Sequence, residues 1–278
     1  MIKNFDKIIS EIKNMKLPYT DFVQFMENIN DPFIVLIACI LSLRTNDKTT
    51  YPATMRMLQL GKTPKDFLSV KLEDLEQAIY PVGFYKNKAK QILDIAYDLY
   101  HNYNSVVPKE IDELVKFKGV GRKTANLVQA KGYGLPSICV DVHVHRISNR
   151  LGLVSTKEPE ETEFALKEKL PKKSWSDINT LFVTLGQNVC KPTKPDCSKC
   201  RLCKYCKYYQ INKWFIYLFL LFLFYVSNKC FFYLLLLDLL GNHLCKYTCV
   251  HIHYKILAIL FCVVVCCMQM NCDLAIFL

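Results

Sequence analysis

A tight glycine turn between two helix-like segments, Phe117-Lys118-Gly119-Val120-Gly121, limits what this chain can fold into more than any other feature. A backbone this tight needs glycine, because Gly119 and Gly121 are able to take positive φ and let another backbone approach closely. The turn ends at the start of a helix near Arg122, where unpaired N–H groups and the helix dipole form an anion site. A phosphate suits that position. Lys123 lies just inside the helix, and Asp141 follows it eighteen residues later (123 to 141).

Helical spacing fills the chain on both sides of the turn. Ile2 to Met15 carries apolar residues at 2, 5, 8, 9, 12 and 15. Asp31 and Pro32 read as a cap and first-turn pair, and the run FIVLIACILSL behind them, apolar on all sides, reads as a buried helix. It ends in the polar string Arg44, Thr45, Asn46, Asp47, Lys48. That tip either enters a polar partner or has simply reached solvent. Thr50 to Leu60 and Lys71 to Ile79 read as further short helices, with Gly61 and Pro64 breaking between them. A turn at Gly83 then opens a helix bearing Lys86, Lys88 and Lys90 near its start. Cations there oppose the dipole, so these lysines are read either as phosphate partners or as a solvated face. Ile92 to Tyr100 continues that helix, Val107 and Pro108 interrupt it, and Ile111 to Phe117 forms the first arm of the glycine turn. Beyond Asp141 the helical pattern runs to Leu151, then returns at Phe164, Leu166 and Leu170 and from Trp175 to Leu185. No convincing period-two alternation appears before residue 210, so the expected fold class is all-α.

Charge and cysteine divide the chain at about residue 210. Residues 1–210 hold 32 basic and 23 acidic side chains, a surplus of nine that points to a polyanionic partner. The N-terminal pattern is a charged amphipathic helix without the apolar core of a signal peptide, so secretion is not expected. From Ile211 the runs WFIYLFLLFLFYV, CFFYLLLLDLL and ILAILFCVVVCC each fall short of the ~20 apolar residues of a spanning helix. Trp214 to Leu240 could make one interrupted span and Ile256 to Met270 another. Seven of the 14 cysteines lie in this tail. Of the other seven, Cys39 and Cys139 sit in apolar runs and read as small core residues.

The remaining five crowd into CKPTKPDCSKCRLCKYC, at 190, 197, 200, 203 and 206. In a reducing compartment such a cluster favours metal over disulfide. Two ligand sets compete: Cys197, Cys200, Cys203 and Cys206 as C-x2-C-x2-C-x2-C, or Cys190, Cys197, Cys200 and Cys206 as C-x6-C-x2-C-x5-C. The first is close to a ferredoxin run, and paired C-x2-C also suits structural zinc.

Four segments in register resemble endonuclease III, the iron–sulfur branch of the helix-hairpin-helix DNA glycosylase superfamily: LSLRTND at 41–47, GVGRKTAN at 119–126, VDVHVHRISNR at 140–150 and the C-x6-C-x2-C-x5-C finish. The resemblance covers about three quarters of the chain. It implies two helical lobes with DNA bound across the cleft between them. Residues 22–132 would form the lobe carrying the helix-hairpin-helix, and 1–21 plus 133–207 the iron–sulfur lobe. Residues 208–278 would be an apolar extension of uncertain structure, either membrane-associated or nonfunctional.

By the same resemblance Lys123 is the nucleophile, Asp141 the catalytic carboxylate, and Cys190, Cys197, Cys200 and Cys206 hold a 4Fe-4S cluster, with Cys203 a bystander. Gly119, Val120, Gly121 and Arg122 are expected on the DNA backbone, and Arg44 in the gap left by a turned-out base. His143 and His145 read as structural or DNA-facing. The implied activity is a base-excision-repair DNA glycosylase with abasic-site lyase chemistry, acting on oxidised pyrimidines through a lysine Schiff base and β-elimination. The alternatives are a mismatch-specific glycosylase of the same superfamily or a non-catalytic, metal-stapled DNA-binding protein. The expected setting is a monomer on damaged or abasic double-stranded DNA inside the cell, with membrane contact only through the tail.

Overall fold

The computed structural model describes residues 4–214, and every regular element among them is helical. The apolar spans expected beyond Trp214 lie outside the described residues. No described helix is long and apolar enough to cross a membrane. Among the described residues, 4–191 and Asp196–Lys207 form one compact unit, and Pro192–Pro195 and 208–214 belong to a second.

Twelve α-helices follow one another in the first unit: α1 Phe5–Asn14, α2 Asp21–Asn28, α3 Pro32–Ser42, α4 Asp47–Leu60, α5 Pro64–Phe67, α6 Leu72–Ile79, α7 Tyr85–Asn102, α8 Ile111–Leu114, α9 Arg122–Leu127, α10 Val142–Leu151, α11 Pro159–Lys169 and α12 Trp175–Asn188. A π-helical turn, Val128–Gly132, extends α9. Helix α3 is the axis of the front half. Its start is built as the sequence predicts, with Asp31 accepting the Ile34 N–H at 2.9 Å and Pro32 in the first turn. All nine residues from Phe33 to Leu41 are buried. The polar string after it divides differently from its sequence reading: Asn46 caps α4 and Asp47 is its first residue. The supposed break at Pro64 is a one-turn helix held by a capping box between Thr63 and Asp66.

Two separate hydrophobic cores fill this unit. The first draws on α2 to α9 and runs from Phe22 to Val128. The second joins Phe5, Ile8 and Ile12 of α1 to residues between Ile138 and Leu202. The first helix therefore packs with the last ones, and the chain passes from one core to the other around Met15–Thr20 and again around Tyr133–Ser137.

Three polar ties cross between the cores. Glu27 on α2 accepts hydrogen bonds from Thr180 on α12 and pairs with Lys131. Asp47 accepts from Thr20 at 2.6 Å and from Gln187 on α12 at 2.8 Å. The third is the most buried: Glu163 on α11, with its side chain 3% exposed, pairs with Arg122 on α9 at 2.8 Å and with Lys167 at 2.6 Å. Burial works to raise the Glu163 carboxyl, but these two cations win and hold it below the ordinary glutamate value.

A carboxylate depressed in the folded state stabilises above its unfolded pKa, and that contribution disappears as pH falls through the folded value. Glu163→Gln is expected to cost about 2 kcal/mol at neutral pH. This is below the roughly 3–5 kcal/mol of a fully buried broken pair because Arg122 and Lys167 remain 29% and 22% exposed. Urea midpoints taken as pH is lowered should show the two proteins converging below about pH 4.

Candidate active site

The glycine turn forms as expected in outline, but its two glycines serve different ends. Gly119 has φ +76°, and a Cβ there would meet the Gln91 amide at 2.5 Å; that amide donates to Lys118 O at 2.7 Å. Gly121 has φ −98° and is extended, and a Cβ on it would meet no protein atom within 4 Å. The fold thus requires glycine at 119 and not at 121. What glycine leaves at 121 is open approach to the start of α9, which no side chain caps. Val120 is buried in the first core.

The Arg122 side chain is engaged within the protein. Its guanidinium donates to Glu163 from both Nε and Nη2, lies 3.5 Å from Glu160 and covers the Phe164 ring at 5.0 Å. Its side chain braces α9 against α11, which leaves the backbone as its contribution to the turn. Phe164, assigned an apolar position by spacing, is 53% exposed because it floors this guanidinium.

Lys123, one residue on, points the other way and is half-buried. Burial works to lower its amine, the ionisable groups around it, Cys139, Asp141, Cys39 and Asp47, work to raise it, and the amine stands above the ordinary lysine value. Both thiols are themselves pushed up by burial, Cys39 to about 12. At neutral pH they are uncharged, so Asp141 and Asp47 are the anions Lys123 faces. Its chain neighbour Arg122 is turned away to Glu163.

Asp141 is the N-cap of α10: one carboxylate oxygen, Oδ1, accepts the N–H groups of His143 at 2.9 Å and Val144 at 2.8 Å. This fixes the rotamer and leaves Oδ2 outside those bonds. The two histidines both bond within the protein. His143 Nδ1 accepts from Arg146 at 3.1 Å, and burial holds its ring below the ordinary histidine value. His145 Nδ1 meets Thr162 Oγ1 on α11 at 2.7 Å.

Arg44 stands exposed at the α3–α4 turn with φ 52°, left-handed for a non-glycine residue. Its guanidinium lies 5.9 Å from the centre of the Phe84 ring, itself 61% exposed and at φ 58°. Phe84 escaped the sequence reading, although an apolar residue directly after Gly83 in a turn is its signal. Lys88 corrects that reading. It is neither on a solvated face nor free for phosphate, being 5% exposed with its amine turned into the protein.

Five thiols, at 190, 197, 200, 203 and 206, gather where the chain wraps the end of α12. Cys190, Cys200 and Cys206 lie against the second core. Burial raises Cys197, and the charge of Cys203 and Cys190 adds to it. Cys200 is pushed up to about 12 by burial first and then by Cys203, Cys190 and Cys206. Arg150 Nη1 donates to Cys190 Sγ at 3.4 Å. Cys203 donates to the carbonyls of Cys197 and Cys200. Among the described residues no three His, Cys, Asp or Glu side chains are set to hold a single metal ion. The donor chemistry of five clustered cysteines, all sulfur, suits an iron–sulfur cluster. The basic residues of this loop are partly spent on local acids: Lys199 on Asp196 at 2.9 Å, Arg201 and Lys204 on Glu11 at 3.7 Å each.

Residues 37–172 of this all-helical fold match the model of the HhH-GPD superfamily of base excision DNA repair proteins. The chain is 47% identical to endonuclease III of Thermotoga maritima over 167 residues, 60% of this chain and 78% of that one. It is 40% identical to endonuclease III of Bacillus subtilis over 170 residues, 61% and 78% of the two chains. A solved structure of a trapped endonuclease III–DNA covalent intermediate shares its fold with a TM-score of 0.64 and 34% identity, covering 77% of this chain and 100% of that one. The chain belongs to the endonuclease III family.

The two glycines predict opposite outcomes. Gly119→Ala should lose about 1–2 kcal/mol from the left-handed backbone alone, and more if Gln91 cannot move. Gly121→Ala should stay within about 0.5 kcal/mol of wild type in chemical denaturation, while its affinity for duplex DNA falls.

Proposed function

We propose that this chain is a DNA glycosylase and abasic-site lyase that removes oxidised pyrimidines, such as thymine glycol, from double-stranded DNA. The observation that carries it is the half-buried Lys123 amine under the charge of the Asp141 carboxylate, in a chain similar to an endonuclease III captured covalently on DNA. The damaged nucleotide turns out of the duplex, at a cost least for a weakened pair. Backbone N–H groups of residues 119–123 grip phosphate meanwhile and read no sequence.

Lys123 attacks C1′ of the sugar as a neutral amine. The electrons of the C1′–N bond leave with the base, which takes up a proton. Asp141 faces the positive charge that spreads over the sugar and accepts a proton from the attacking nitrogen. Opening of the sugar ring gives a Schiff base, which acidifies the C2′ proton; loss of that proton expels the 3′ phosphate and breaks the strand. Water then releases the lysine.

Cys190, Cys197, Cys200 and Cys206 would hold the 4Fe-4S cluster, which would supply a structural staple at the end of the second core. Residues 22–132 serve as the hairpin lobe and 1–21 with 133–207 as the cluster lobe, with DNA across their cleft. The enzyme works as a monomer, inside the cell where its DNA is.

Borohydride on abasic DNA is expected to trap the wild-type chain covalently and to leave Lys123→Gln untrapped. A mismatch enzyme without the lysine step, or a non-catalytic DNA-binding protein, gives no adduct in either form. Arg44→Ala should slow removal of a damaged base about tenfold more than cleavage at a ready-made abasic site, the scale of a lost positioning contact. Equal losses on the two substrates would remove Arg44 from the gap.

A further inference from the structure

Lys88 has no part in the chemistry above, yet it is among the few charged side chains the fold buries. Its amine donates to Leu41 O at 2.9 Å, to Leu43 O and to Thr45 Oγ1 at 3.3 Å. All three acceptors flank Arg44. Leu41 lies in the last turn of α3, so two of these acceptors are carbonyls at a helix end, where a cation also complements the dipole. Thr45 Oγ1 accepts a second bond, from Gly83 N–H at 3.1 Å, which ties in the turn that bears Phe84. The fit is close: a Cβ on Gly83 would come within 3.0 Å of Arg44 O. Burial pulls the Lys88 amine down to about 8.

We propose that Lys88 is a positioning residue for base turning: from beneath, its amine clamps the α3–α4 turn onto the Gly83 turn and so sets Arg44 in its strained, outward pose. The inference rests on the reading of Arg44 as the side chain that fills the gap. Lys88 touches neither the substrate nor Lys123 and acts only through Arg44 and its neighbour Phe84. A methionine of similar length would leave the Leu41 and Leu43 carbonyls without their donor, and the turn would relax toward ordinary backbone angles.

The test uses the full chain on two substrates, a duplex with thymine glycol and the same duplex with an abasic site, with 2-aminopurine beside the lesion to report unstacking. Lys88→Met should lower base removal about tenfold or more against less than about threefold at the abasic site, and weaken the fluorescence rise. In combination with Arg44→Ala it should add no more than about twofold to the loss from Arg44→Ala alone, as coupled residues do. Lys88→Arg, which keeps the donor, should recover part of the loss. If Lys88→Met does not fold, Thr45→Val, which removes the acceptor shared by both turns, is read in the same cycle. Equal losses on the two substrates, or losses that multiply with those of Arg44→Ala, would overturn the proposal. A flat result for Arg44→Ala alone sinks the gap reading instead, which separates the two failures.

Discussion

Lys123 and Asp141 are rooted in different hydrophobic cores, so the geometry of the proposed active site depends on the polar seam that joins those cores. Ala125 and Val128, which anchor the lysine helix, belong to the first core, and Val140 and Val144 around the aspartate belong to the second. Apolar packing alone would let two such bodies slide, because it is non-directional. Glu163 removes that freedom. It bonds Arg122 beside Lys123, while Asn126, one turn further along α9, accepts from Ser137 at 2.6 Å in the segment leading to Asp141. Asp47 adds to the seam through Gln187 and also faces Lys123 with its charge.

The features legible in the sequence were those written in local chemistry. Asp31-Pro32 followed by nine apolar residues could only begin a buried helix, and the Gly119 turn and the thiol spacing carry their own geometry. The partners of charged residues were not legible. Arg122 next to Lys123 reads as a phosphate contact, and only the return of α11 some forty residues later gives it Glu163. Lys88 among lysines at 86 and 90 reads as solvated, because helical phase alone does not reveal that the end of α3 lies beneath it. Asp141 was identified by resemblance, whereas its capping of α10 emerged only with the fold. Phe84 was missed since one exposed aromatic ring leaves no periodic trace.

Electrostatics at Lys123 divides the work between ground and reacting states. An amine that faces Asp141 and Asp47 begins protonated, so in the proposed reaction it must lose that proton before it attacks. Asp141, with Oδ1 tied to two N–H groups and Oδ2 outside them, would keep its charge until the base leaves. The neutral thiols of Cys39 and Cys139 complete the wall without adding charge. In the proposed reaction positive charge moves onto the sugar as the base departs, and the same carboxylates would stabilise it. Their field therefore opposes the nucleophile at rest and favours the transition state, the differential that catalysis requires.

The Arg44 turn shows the same economy in backbone conformation. Arg44 and Phe84 both hold left-handed angles, at roughly 1–3 kcal/mol each for non-glycine residues, and they touch one another at the surface. Strain of that size persists only where surrounding bonds determine the turn more strongly than local preference does. Here those bonds converge on one buried amine and one hydroxyl. A flexible arginine would have to be ordered at the moment the base leaves its stack, losing side-chain and backbone entropy then. An arginine ordered beforehand transfers that cost to folding, where the burial of α3 and α7 offsets it, and meets the duplex already set.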